Sequence, residues 1–172
     1  MKPSLTDVLC TRCGLCCDGS LFADVELASR DGAAELEVMG LEIEDADAGD
    51  GGLLLQPCGA LKAQRCSIYP YRPDCCRTFE CRLLQEVKRG AVSVDRAQAK
   101  IAEARQRIDR VLELIGQLGP DDDRLPLKER CADALAHAQE VAAHWRTKRT
   151  GAELQAAMKS LERLIEKTFL GG

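Results

Sequence analysis

The chain has 172 residues, a net charge of -4, 45% hydrophobic residues and only 3% aromatic ones. An acidic balance with so few stacking rings excludes an ordinary nucleic-acid binder, which needs a basic face. The length is enough to bury a core without covalent staples, yet ten residues are cysteines.

Nine of those ten lie between Cys10 and Cys81, as Cys10-x2-Cys13-x2-Cys16-Cys17 and Cys58-x7-Cys66-x8-Cys75-Cys76-x4-Cys81. Thiolates are soft ligands that select zinc, cuprous copper or iron–sulfur clusters, and short Cys-x2-Cys steps bring several sulfurs to one centre. The opening stretch MKPSLTDVLC lacks the apolar core of a signal peptide, and no run approaches a membrane span. A reducing cytoplasm is therefore expected, where metal ligation prevails over disulfides. In the first cluster, Gly14 permits a turn with φ > 0 in which backbone N–H groups face sulfur, as in zinc knuckles. Cys13-x2-Cys16 has the spacing that begins bacterial ferredoxin motifs, but Cys17 follows at once. Adjacent residues direct their side chains apart, so the pairs Cys16–Cys17 and Cys75–Cys76 suit two metals or a multi-iron cluster better than one tetrahedral ion. Eight cysteines would fill two four-sulfur sites, with Cys75 or one other spare.

Residues 18–50 carry eleven acids against the single Arg30. Within them a helix is predicted over 25–39, with Val25, Ala28, Gly32 or Ala33, Leu36 and Met39 on its apolar side and Gly40 ending it. Residues 42–52 read as an acidic, Gly-rich loop. The runs 53–55 and 66–69 are predicted to pair as a small hairpin whose loop carries Cys58 and Cys66 at its two ends. Pro70 and Pro73 then break regular structure, and a helix over about 78–89 would carry Cys81. Lys62, Arg65, Arg72, Arg77 and Arg82 surround the second cluster. Four thiolates on divalent zinc leave a formal charge of about -2, which such bases and backbone N–H donors offset. Tyr69, Tyr71 and Arg72 stand beside the cluster, with packing and charge compensation expected ahead of substrate contact.

The chain divides near residue 90 into a cysteine-rich half, 1–90, and a helical half, 91–172. Val94, Ala97, Ile101, Ala104, Ile108, Val111, Ile115 and Leu118 form an unbroken heptad seam that Ser93 caps and Gly119-Pro120 ends. A second stripe runs Leu127, Cys131, Ala134, Ala138, Val141 and Trp145. A third runs Leu154, Met158, Leu161 and Ile165, with Thr150-x-x-Glu153 reading as a capping box. Short connections imply antiparallel packing. Cys131 on the second stripe is a core residue, since a free cysteine packs as a small hydrophobe. His137, Glu140 and His144 share a helix face but lie off the apolar stripe and read as an exposed polar face rather than a metal site. The expected fold is mainly α: an irregular, metal-bound Cys-rich head with a small β-hairpin, followed by an antiparallel helical bundle offering a surface for a protein partner. No nucleic-acid or membrane partner is expected.

The run Cys10-x2-Cys13-Gly14-x-Cys16-Cys17, followed by Cys66-Ser67-Ile68-Tyr69-x2-Arg72-Pro73-x2-Cys76-Arg77-x-Phe79, resembles the CxxCxxCC family of zinc- or iron-chelating proteins. The resemblance covers about residues 10–82. It implies a metal-chelating domain whose ligands are Cys10, Cys13, Cys16, Cys17, Cys58, Cys66 and Cys76, with Cys81 as an eighth. Tyr69, Arg72 and Arg77 fall beside them, whereas Cys75 falls where the family pattern has no cysteine. The cofactor implied is zinc or iron, an iron–sulfur cluster included. A similar motif occurs in flagellin lysine methylases, which have much additional chain, so an iron–sulfur redox protein or an enzyme acting on a protein stays open beside plain chelation. The cysteine-rich half contains no histidine, which favours closed or iron–sulfur sites over a zinc hydrolase. No phosphate-binding loop and no nucleophile with a matched base names a substrate.

Overall fold

The computed structural model describes residues 5–46, 51–140 and 145–171. It is mainly α, with two small antiparallel sheets, and it divides into two compact units. The first comprises residues 1–80 with 124–126, the second residues 81–123 with 127–172.

In the first unit, α1 (Leu5–Cys13) carries Cys10 and Cys13. Gly14, at φ +69, ends it. The following turn is closed by Cys17 N–H and Asp18 N–H, both donating to the Gly14 carbonyl at 2.9 and 3.0 Å. Leu15, fully buried, anchors that turn from inside. Next come β1 (Asp24–Leu27), α2 (Arg30–Val38), β2 (Ile43–Glu44) and β3 (Gly52–Leu55). The sheet order is β1-β3-β2, with Asp24 opposite Leu55 and Ile43 opposite Leu54. Two expectations are corrected here. The predicted helix over 25–39 begins only after Ser29, because residues 24–27 pair with β3 and the Ser29 hydroxyl caps α2 by accepting from Gly32 N–H at 3.3 Å. Gly40, at φ +82, does end it, with Leu41 N–H reaching back to the Leu36 carbonyl at 3.1 Å. The predicted hairpin between 53–55 and 66–69 is replaced by two separate pairings. Residues 53–55 form the central strand of the first sheet, while β4 (Leu61–Lys62) pairs with β5 (Arg65–Cys66).

The β4–β5 turn places Ala63 at φ 44 and Gln64 at φ 69, the two left-handed positions of a type I′ hairpin. Tyr69–Tyr71 is a single 3₁₀ turn, followed by α3 (Asp74–Thr78). The core of this unit is small: Leu27, Ala33, Leu36, Leu41, Leu54 and Ala60, with Cys58, Cys66, Ile68 and Cys75 packed against it.

The second unit holds α4 (Arg82–Lys88), α5 (Val94–Leu118), α6 (Leu127–Glu140) and α7 (Trp145–Ile165), with a π turn over Glu166–Leu170. Cys81 lies at the N-cap of α4 rather than inside a helix over 78–89, because Phe79 already leaves helical geometry at the end of α3. The heptad seam forms as expected: Ser93 caps α5 by accepting from Arg96 N–H, and Ala97, Ala104, Ile108, Val111, Ile115 and Leu118 are buried. α5 and α7 run antiparallel, since Arg107 reaches Ser160 while Arg110 reaches Glu153, and α6 packs on both. Cys131 is buried on α6. Val141 and His144 lie outside the described residues. Trp145 does not continue the second stripe; it opens α7 and is 66% exposed. Because α7 starts there, Thr150 falls inside the helix and Glu153 pairs with Arg110 and Arg149 instead of closing a capping box. Among the described residues, no helix is long and apolar enough to cross a membrane.

Candidate metal centre

None of the ten cysteines is in a disulfide; nine are half-buried and Cys131 is buried. In the first unit, the segments that carry the clustered thiols are tied to one another by backbone and packing contacts. The Gly14 turn delivers Cys17, and Cys58 N–H donates to the Cys17 carbonyl at 2.8 Å, so the backbones of the two clusters are joined. The two-residue strands of the β4–β5 ribbon set Leu61 opposite Cys66, and Leu61 N–H donates to the Cys58 carbonyl at 2.9 Å. α1 packs on β5, and Phe79 at the end of α3 meets the Phe22 ring edge-on at 5.2 Å. α3, which carries Cys75 and Cys76, is thereby tied to the segment that follows the first cluster.

The electrostatics report the same convergence. The Cys17 thiol is pushed from its ordinary 9.0 to about 12, first by burial and then by the charges of Cys58, Cys66, Asp18 and Cys13. Cys76 is pushed to about 12 by burial, then by Cys75, Cys17 and Cys58. Burial also raises Cys58, opposed by N–H groups of Ala60 and Leu61 that donate to its sulfur and by the Lys62 ammonium. Backbone N–H groups thus also face a sulfur in the Cys58-Gly59-Ala60-Leu61 turn. Cys10 and Cys13 lie three residues apart on α1.

The expected charge compensators divide. Lys62 acts on a thiol, but Arg72 and Arg77 are committed to their own turn. Arg72 lies over the Tyr69 ring at 3.5 Å and donates to the Tyr69 carbonyl at 3.0 Å. Arg77 donates to the Arg72 and Pro70 carbonyls at 2.7 and 3.1 Å. They shape the turn that presents Cys75 and Cys76. Two contributors escaped the sequence reading: Leu15, whose burial holds the first cluster's turn, and the Gly59-containing turn, whose only sequence signal was the glycine after Cys58.

His137 packs against Gly119 in the second unit, where an added Cβ would come within 2.6 Å of its ring. Cys131 is raised by burial and the nearby Glu162 charge. Cys81, at its N-cap, also belongs to the second unit.

The donor set in the first unit fits a thiophilic metal ion. Thiolate sulfur is a soft donor that suits such an ion, and the Cys13, Cys17, Cys58, Cys66, Cys75 and Cys76 thiols influence one another electrostatically. Among the described residues no group of three or more such side chains is placed to hold a metal ion. When bound, such a metal would supply a closed, electron-rich thiolate centre.

No curated protein and no solved structure matches the chain. A family model does, over residues 9–105. That span is more than half of the chain and takes in all nine clustered cysteines: the chain belongs to the CxxCxxCC family, described as a "putative zinc- or iron-chelating domain", whose general property is metal binding.

Proposed function

We propose that the chain is a thiolate metal chelator whose principal site is the four-sulfur group Cys17, Cys58, Cys66 and Cys76, taking zinc or iron. The carrying observation is their mutual coupling. Cys17 feels Cys58 and Cys66, Cys58 feels Cys66, and Cys76 feels both Cys17 and Cys58. Five of the six pairs among these four thiols therefore influence one another electrostatically. Cys10, Cys13 and Cys16 are the other thiols of the first cluster and the natural ligands of a second ion. With four sulfurs filling the coordination sphere there is no open position for a substrate water, so holding the metal is the function rather than hydrolysis.

The test is elemental analysis of anaerobically purified chain beside Cys17→Ser, Cys58→Ser and Cys131→Ser. At least one zinc or iron per chain is expected, lost in the first two variants and kept in the third. Full metal content in Cys17→Ser would refute the four-sulfur site. Acid-labile sulfide with a broad band near ~400 nm would move the reading from a mononuclear centre to an iron–sulfur one.

A further inference from the structure

We propose that the outer face of the β1-β3-β2 sheet is a docking surface for a basic amphipathic helix of a protein partner. The register fixes what that face displays. Val25, Leu27, Ile43 and Leu54 belong to the core side, where α2 covers the strands through Ala33 and Leu36. Alternation along β3 sends Leu53 and Leu55 to the opposite face, where both are half-buried. Asp24 pairs with Leu55, and Glu26 and Glu44 flank Leu53 from either side. Leu55 N–H donates to the Glu42 carbonyl at 3.0 Å, which sets Glu42 on the remaining flank. Two rows of like composition result, Asp24–Leu55–Glu42 and Glu26–Leu53–Glu44, with all four acidic residues exposed. No lysine or arginine occurs in these strands.

An apolar stripe bordered by carboxylates on both sides is the complement of a helix whose apolar stripe is bordered by lysine or arginine. The dimensions agree. Neighbouring strands lie about 4.8 Å apart, so the two acidic borders stand roughly 10 Å from each other, about the diameter of a helix with its side chains. The leucines supply apolar contact, while the carboxylates orient the helix and steer its approach. The same charges repel nucleic acid and anionic membrane. Strand addition is excluded along Leu53 and Leu55, because β3 is the central strand and is hydrogen-bonded on both edges. A stripe this small makes a weak, transient interface.

The experiment titrates the whole chain into a fluorescein-labelled synthetic peptide about four helical turns long, with leucines along one face and lysines bordering them, and reads anisotropy. A scrambled peptide of the same composition is measured beside it. The chain variants are Leu53→Thr, Glu26→Gln/Glu44→Gln and Glu35→Gln/Glu37→Gln, the last removing two exposed charges from α2 on the other side of the sheet. Threonine suits a strand, near-UV circular dichroism of Tyr69 and Tyr71 checks the fold, and the glutamine pair carries the test if Leu53→Thr unfolds. Leu53→Thr and Glu26→Gln/Glu44→Gln are each expected to weaken binding by about 10-fold, as is scrambling the peptide, while the α2 pair stays within about twofold of wild type. The proposal is overturned if the α2 pair weakens binding as much as the sheet pair, if the scrambled peptide binds as tightly, or if the striped peptide does not bind. Self-association in sedimentation velocity that Glu26→Gln/Glu44→Gln abolishes would give the face to a second copy of the chain. Flotation with phosphatidylcholine vesicles that Leu53→Thr abolishes would give it to a membrane, and either result overturns the proposal as well.

Discussion

Leu54→Ala is the perturbation that tests how far metal and core share the work in the first unit. Leu54 is 2% exposed, at the centre of the middle strand, and belongs to a core of six residues, two of them alanines. Truncating a leucine at such a site costs about 3 kcal/mol in lost transfer energy and residual cavity. A small core rarely supplies more than about 3–5 kcal/mol, so the stripped variant should be largely unfolded in this unit. A ligand at 1,000 times its dissociation constant restores about 4 kcal/mol, so zinc should bring the fold back. The chain has two tyrosines and one tryptophan. Tyr69 and Tyr71 lie in the first unit and Trp145 in the second, so near-UV circular dichroism and tryptophan fluorescence report the two separately. In urea titrations the tyrosine transition of Leu54→Ala should be nearly absent in chelator and reappear with zinc, while the tryptophan transition stays put. Equal tyrosine midpoints with and without zinc would refute the reasoning, because the metal would then owe nothing to this core.

The type I′ turn at Ala63 and Gln64 is held by residues that dislike φ > 0, so Ala63→Asn with Gln64→Gly should stabilise the first unit by about 1 kcal/mol in the same titration. Gly119 sits at φ +153 with the His137 ring where a Cβ would go, so Gly119→Ala should destabilise the second unit by roughly 1–3 kcal/mol in thermal unfolding. Asp121 accepts from Arg130 at 2.8 and 2.6 Å, which holds its carboxyl below the ordinary 3.8. A depressed value stabilises the fold above 3.8 and loses that contribution as pH falls through the folded value. Asp121→Asn should therefore cost about 1 kcal/mol at neutral pH and nothing in strong acid, as urea midpoints across pH would show. Loading the four-sulfur group below pH 9 should release about four protons per zinc, counted with a pH indicator. Its affinity should keep rising with pH beyond 9, since Cys17 and Cys76 titrate near 12. Release of fewer than about two protons would contradict a four-thiolate site.

Long periodic segments were legible in the sequence and short ones were not. The seam from Val94 to Leu118 repeats over seven turns, so periodicity, the Ser93 cap and the Gly119 stop all agreed with the helix found. β1 is four residues and β2 only two, too few to show an alternation, and Val25 and Leu36 together could pass for a single helical face. The β4–β5 turn carries Ala-Gln where Asn-Gly would have announced it. The cysteines and their two clusters were read directly, because thiolate chemistry is local to the residue. Which sulfurs meet was not, because that depends on the pairing of two-residue strands and on a backbone hydrogen bond between Cys58 and Cys17. The role of Arg77 was hidden for the same reason: a guanidinium beside a cysteine looks like charge compensation until its carbonyl partners are seen.

On the proposed four-sulfur reading, the thiols of the first unit have two jobs that do not compete. Cys58, Cys66 and Cys75 pack against the apolar core, and a protonated cysteine is itself a small hydrophobe. Raised values at Cys17 and Cys76 mean that both stay protonated at neutral pH before metal arrives, so the unloaded unit buries neutral sulfur rather than charge. Loading, on that reading, exchanges those protons for one cation. A serine at such a position therefore removes a ligand and adds a hydroxyl to an apolar contact at once, whereas alanine removes the ligand alone. Comparing Cys66→Ala with Cys66→Ser in chelator separates the packing role from the ligand role. Both variants lose the metal contribution, and only serine leaves a polar group against Leu54 and its neighbours.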